Sequence, residues 1–231
     1  MEDSKIELIS DRQAIHHIEN ANAAATIMLD FDETLLLRNS TAEYINSLRP
    51  RLIGFILIAI LKIIRPWVWL PQPWRGNKVK DWFLVVVPTI LLPWTWWLWQ
   101  KKASELAANY GNSELITAVN NNFHSPIIVA SLGFNFIIYP ILQHLPIRYT
   151  RLVSCRFWQG AKDRGKGKLL MMREVLEEST IKTAIVVTDS EDDLPLLQIV
   201  DRPCFVVWSL AKYIHPFQDF WLSSLLRRKK K

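Results

Sequence analysis

Short apolar runs recur along this chain, and each ends abruptly at an acid, a serine or a loop residue: TIMLD from Thr26, PIIVAS at 126–131, KTAIVVTDS at 182–190 and PCFVVW at 203–208. YTRLVSCRF at 149–157 reads as a further strand. Runs that stay apolar at successive positions belong to strands buried on both faces. Between them, Phe134–His144, Lys168–Glu178 and Asp192–Ile199 carry helical periodicity. Strands alternating with helices predict an α/β fold, a Rossmann-like parallel sheet with helices on both faces. In such sheets ligands sit beyond the carboxyl ends of the strands, so chemistry is expected just after each run.

The pattern breaks between the first strand and the second. Residues 38–125 form a long insertion with two apolar stretches, 52–70 interrupted by Lys62 and Arg65, and 82–99 free of charge but holding Pro88 and Pro93. A span needs about 20 apolar residues, so the pattern predicts a mainly helical insertion carrying a membrane-embedded or interfacial hairpin rather than two spans. A cap of soluble helices packed on the catalytic domain is the alternative. Most of the eleven Trp residues lie between Trp67 and Trp99, and aromatic residues of this kind gather where a bilayer meets water. Arg75, Lys78 and Lys80 precede the second stretch and Lys101 and Lys102 follow it, so charge bias assigns it no orientation. The expected organisation is a catalytic core of 1–37 and 126–222, the helical insertion at 38–125 and a basic tail at 223–231.

Charge sharpens the choice of partner. The chain has 28 Lys+Arg against 22 Asp+Glu, a net +6, and Arg227–Lys231 are all basic. A basic balance favours anionic partners, and the Trp-rich insertion favours a membrane surface over nucleic acid. From Phe220 onward, FWLSSLLRRKKK joins apolar residues to a polybasic end, the composition of an interfacial anchor, with a solvated tail as the bland alternative. Membrane association with a cytoplasmic catalytic core is the expected placement. Cys155 and Cys204 have neither C-x-x-C spacing nor nearby His, so they read as buried thiols rather than a zinc site or disulfide. The charged first 25 residues do not read as a secretory leader. None of the five His residues has ligand spacing.

Candidate chemistry sits at the strand ends. Asp30 and Asp32 lie two apart where the first run stops, which lets both face one site. Paired carboxylates oppose each other's ionisation unless a cation is present. Magnesium, held by a few carboxylates, water and substrate phosphate, would satisfy them. Alone, such a pair is more often a solvated turn. The other strand ends add Ser131, then Asp189, Asp192 and Asp193, with Lys166 and Lys168 ahead of a helix. Together they offer a nucleophile, an acid/base, a phosphate-binding hydroxyl, a balancing cation and metal ligands. Two other motifs fail: Gly160–Lys166 fits a phosphate loop until Gly167 replaces the required Ser or Thr, and the acids at 189–193 lack the turning Gly of a calcium loop, which Leu194 displaces.

The segments LDFDETL, VAS, RGKGKLL and VVTDSEDDLPLL resemble the four motifs of the haloacid dehalogenase superfamily, in its phosphoserine-phosphatase-like branch. The resemblance covers about 26–37 and 126–208. It implies a magnesium-dependent phosphatase in which Asp30 attacks phosphorus and Asp32 serves as acid, then base. Ser131 and a lysine would bind the phosphoryl group, the lysine being Lys168 in one register and Lys166 in another. Asp189, with Asp193 as second candidate, would hold Mg2+ with Asp30 and the backbone carbonyl of Asp32. Thr34 would orient the first loop beside the bound phosphate. Glu33 stands where many members carry Gly. In the same resemblance the insertion is a substrate-selecting cap, and a cap dipping into lipid implies a lipid-linked or prenyl-linked phosphomonoester. A soluble small-metabolite phosphatase and a non-catalytic interaction protein on the same fold are the competing readings.

Overall fold

The computed structural model describes residues 6–22 and 25–217; the basic tail at 223–231 lies outside the described residues. Five strands form one all-parallel sheet: β1 (Ile27–Leu29), β2 (Ile127–Phe134), β3 (Arg151–Cys155), β4 (Ile185–Thr188) and β5 (Arg202–Phe205), in the order β3-β2-β1-β4-β5. Every residue of β1 and β4 is buried. Successive side chains of a strand point to opposite faces, so both faces are covered. The chain winds outward from β1 through β2 to β3, then crosses back to β4 on the other side of β1. That reversal places a crevice at the carboxyl ends of β1 and β4, the usual ligand position in open α/β sheets.

All five expected strands are present, and the helices between them shift. Helices α1 (Asp11–Glu19) and α2 (Ser40–Ser47) flank β1; α1 starts with a capping box between Ser10 and Gln13. The insertion continues with α3 (Arg51–Ile64), α4 (Pro66–Trp69), α5 (Lys80–Leu91), α6 (Thr95–Tyr110) and α7 (Ser113–Asn121). After β2 come α8 (Asn135–Leu142), α9 (Gly160–Arg173), α10 (Glu178–Lys182) and α11 (Leu194–Leu197). The periodicity at 168–178 predicts one helix there; instead α9 begins eight residues earlier and breaks at Gly167, whose φ of 77° is left-handed.

The insertion is more integrated than its composition predicts. Its return strand of chain bonds the loop after β1, with Leu37 N–H donating to Tyr110 O and Asn112 N–H to Leu35 O, and α7 then packs on α1 of the core. The cap proper therefore ends near residue 112, ahead of the expected 125. The second apolar stretch splits between α5 and α6, and much of it faces protein. Phe83, Leu84, Val85 and Val86 are buried, and Trp99 is 1% exposed with its indole donating to Ile137 O. Tyr44 stands edge-on to both Trp99 and Phe136. The buried residues of this stretch pack within the protein, where a buried Trp keeps its hydrophobic contribution while its N–H finds a carbonyl.

Candidate active site

Asp30 follows β1 directly, with its amide donating to Val187 O of β4. Its carboxylate is 7% exposed, and Oδ1 accepts from Phe31 N–H at 2.7 Å and meets Lys168 Nζ at 2.9 Å. Lys168 also reaches Asp193 Oδ2 at 2.5 Å, so one buried ammonium bridges the loops after β1 and β4. The break at Gly167 is what delivers it: the chain leaves the first part of α9, turns through the left-handed residue, and starts the second part with Lys168 aimed inward. Lys166, the other register, pairs with Glu174 and does not line the cavity. Burial pulls the Lys168 ammonium towards neutrality, but Asp30 and Asp193 outweigh it and hold its pKa above the ordinary lysine value.

The carboxylates respond in the opposite sense. Burial is the main cause in each case. It pushes Asp30 up to about 6, with Asp193 and Asp189 adding to the rise and Lys168 opposing it. Asp32 is pushed up to about 7, although Ser40 N–H, at the start of α2, donates to its Oδ1 at 2.6 Å. Asp189 is pushed up to about 6 against a hydrogen bond from the Thr34 hydroxyl at 2.9 Å. Thr34 is fully buried, its hydroxyl is committed to Asp189, and it is not on the cavity wall. Its expected phosphate contact gives way to a positioning role.

Ser131 lies in β2 where the register with β3 shifts between Ala130 and Phe134, an irregularity of the kind that re-aims a side chain. Its hydroxyl accepts from Gly133 N–H at 2.9 Å. A Cβ on Gly133 would come within 3.2 Å of both Asp32 Oδ2 and Ser131 Oγ, so a side chain there would narrow the site. Asp193 is 1% exposed; Oδ2 is taken by Lys168 and Thr188, and Oδ1 is buried without a partner. Asp193, expected as a metal ligand, is thus first of all the anchor of Lys168.

Thr188 escapes the sequence reading. Its hydroxyl lies 3.0 Å from Asp30 Oδ2 and 2.6 Å from Asp193 Oδ2, and accepts from Ser190 N–H. With a single proton to donate, it ties the two carboxylates together without satisfying both fully. Arg164 also escapes it. Its guanidinium bonds Asp81 Oδ2 at 2.6 Å, Leu132 O at 2.5 Å and Lys78 O at 2.7 Å, pinning the insertion to β2 beside the cavity. Nothing in the local pattern of α9 marks that Arg apart from its neighbours Lys162 and Lys166.

These groups line a cavity of about 390 Å³ that also touches Glu33, Asn39, Thr41, Asp81 and Asp192. Seven carboxylates against Lys168 and Arg164 give the cavity a net negative lining, a charge balance that could hold a cation. Among the described residues no three His, Cys, Asp or Glu side chains form a metal cage. Magnesium does not need one, since it is usually held by one or two carboxylates, waters and substrate phosphate. Asp30 and Asp189, both raised by burial and like charge, suit that donor set. None of the His residues lines the cavity, and Cys155 and Cys204 are buried free thiols pushed up to about 12 by desolvation.

The fold defines the chain as an α/β protein with a Rossmann-like parallel sheet. Among solved structures it is similar to a protein with unknown function from Bordetella pertussis Tohama I, at a TM-score of 0.54 and 14% identity, covering 88% of this chain and 95% of that one. At that identity the likeness concerns the fold alone. No family model and no curated protein matches the chain.

Proposed function

We propose that the protein is a magnesium-dependent phosphatase of the haloacid dehalogenase type that hydrolyses a phosphomonoester through an aspartyl-phosphate on Asp30. The observation that carries this reading is the buried Lys168 held between Asp30 and Asp193 at the sheet's crevice, with Ser131 and Asp32 on the same cavity wall. A structural ion pair would not need Asp32, Ser131 and a 390 Å³ opening beside it.

Asp30 attacks phosphorus as the ester P–O bond breaks, and Asp32, whose pKa of about 7 keeps a large share of it protonated near neutral pH, gives its proton to the departing oxygen. Water then yields a proton to Asp32 and attacks the aspartyl-phosphate, releasing phosphate and restoring Asp30. Lys168 and the Ser131 hydroxyl balance and orient the phosphoryl oxygens. Asp30, Asp189 and the backbone carbonyl of Asp32 would hold Mg2+, which supplies charge neutralisation between the carboxylates and the phosphate.

The test is phosphate release from a panel of soluble and lipid phosphomonoesters with magnesium or EDTA, beside Asp30→Asn. Release that needs magnesium and disappears in the variant is expected. Release that survives Asp30→Asn would remove the nucleophile assignment, and no release from any substrate would favour a non-catalytic role.

A further inference from the structure

Helix α3 has two unlike faces. Gly54 and Ile58 pack inward, Gly54 so closely that a Cβ would meet Leu48 Cβ at 2.7 Å. Outward, Leu52, Ile53, Ile56, Ile60, Ile63 and Ile64 are each at least 45% exposed, and Trp69 of α4 continues the face at 63%. Trp94 donates its indole N–H to Arg49 O, so the α5–α6 corner, with Trp97 70% exposed, joins the same surface at the start of α3. Monomeric proteins seldom leave so large an aliphatic surface uncovered.

What covers it is indicated by charge. From 49 to 102 the chain holds nine Lys or Arg and a single acid, Asp81. Arg49, Arg51, Lys101 and Lys102 line a cavity of about 430 Å³ beside Leu98, where they outnumber its two acids, Glu43 and Glu105, the second 3.9 Å from Lys102, and Lys62 and Arg65 stand at the other end of α3. Isoleucine side chains offer none of the hydrogen bonds that protein interfaces carry, about one per 100–200 Å². Aliphatic face, tryptophan flank and basic rim instead match, in order, the acyl region, interface and phosphates of an anionic leaflet.

We propose that the insertion seats the protein in one leaflet of an anionic bilayer, and that its substrate is a phosphomonoester with an apolar tail taken from that leaflet. The second clause rests on the phosphatase reading. Arg51–Trp69 is long and apolar enough to cross a membrane, but it turns at Arg65 (φ 51°, ψ 57°) and has one flank packed on α2 and α5. It therefore lies along the surface. A further cleft of about 290 Å³ runs beneath it, lined both by Ala42, Ile45, Ile58 and Leu84 and by the polar Lys62, Lys80 and His215, and shares Asn39, Thr41 and Asp81 with the catalytic cavity. A substrate with its phosphate at Asp30 can thus extend under α3 along these aliphatic residues, and the opposite face of the helix meets lipid.

The experiment is flotation of the full-length protein with phosphatidylcholine vesicles, with and without phosphatidylglycerol, comparing wild type, Asp30→Asn and Ile63→Glu/Trp97→Glu, each checked for folding by thermal melting. Wild type and Asp30→Asn should float alike and prefer the anionic vesicles. The double variant should keep its melting temperature and lose partitioning on the order of a hundredfold, as expected for removing two buried apolar side chains. A double variant that floats like wild type, or a wild type that stays in solution as a dimer with this face covered, would overturn the docking surface. Flotation without hydrolysis would retain the docking and sink the phosphatase. Hydrolysis of glycerol phosphate as fast as long-chain phosphatidic acid would overturn the tail.

Discussion

The core and the insertion invert the usual division of residues in opposite ways. The core buries charge: Asp30, Lys168 and Asp193 are all below 10% exposed. The insertion exposes isoleucine and tryptophan, with Ile63 at 80%. Buried charge and exposed apolar surface are the informative departures from ordinary burial, because each costs free energy that a purely structural region would not retain. In the core the departure serves a site. In the insertion it gives an exposed aliphatic and tryptophan face along α3 and α4.

The strongest way to break this comparison is to remove the carboxylates of the sheet's crevice. Asp30→Asn should abolish magnesium-dependent phosphate release, and Asp32→Asn should lower kcat by about 10²–10⁴-fold; a wild-type kcat in Asp32→Asn would leave Asp32 without an acid/base role. Within the insertion, two residues near the start of α6 separate buried core from exposed face. Trp99→Ala should cost about 3–5 kcal/mol in urea unfolding, whereas Trp97→Ala should stay within about 0.5 kcal/mol.

Lysine register gives the next largest effect. Lys168→Met leaves two buried carboxylates unpaired and should cost about 3 kcal/mol at pH 7, a deficit that shrinks at lower pH as Asp30 takes up a proton. Lys166→Met removes only the pair with Glu174 at the edge of α9, within about 1 kcal/mol. If the two variants unfolded at the same urea concentration, the buried bridge would contribute nothing.

The pH dependence follows from the raised carboxylates. Asp30, Asp32 and Asp189 bind protons more tightly folded than unfolded, so their contribution to stability is fully present below the ordinary value of 3.8 and is lost as pH rises through 6 to 7. Metal-free protein should lose stability from these groups across that range. Magnesium should raise the melting temperature at pH 7 and have no effect near pH 4, where its ligands are protonated. The rate profile of kcat/KM should fall above about pH 7 as Asp32 loses its proton.

The smallest effect concerns Glu33. Its φ of 60° lies in the left-handed region that favours glycine, and it adds negative charge beside Asp32 and Asp189. Glu33→Gly should stabilise the protein by about 1 kcal/mol and lower KM for anionic substrates. An unchanged KM would mean that Glu33 does not meet the substrate.

The apolar runs alone determined the sheet. Branched aliphatics at successive positions, each stopped by a polar residue, have few ways to bury both faces except as parallel strands, and that same stop put Asp30 and Asp189 at strand ends, whereas β2 runs on past Ser131 to Phe134. Tertiary structure decided which groups meet. Choosing Lys168 over Lys166 required the left-handed turn at Gly167, and the roles of Thr188 and Arg164 required knowing that β4 lies beside β1 and that α9 touches the insertion. Composition likewise could not divide the tryptophans: Trp97 and Trp99 are two residues apart on one helix, and only the packing of α6 against α8 sends one into the cap and leaves the other outside. Local sequence fixes what a segment must bury, whereas what it is buried against is set by contacts between residues distant in the chain.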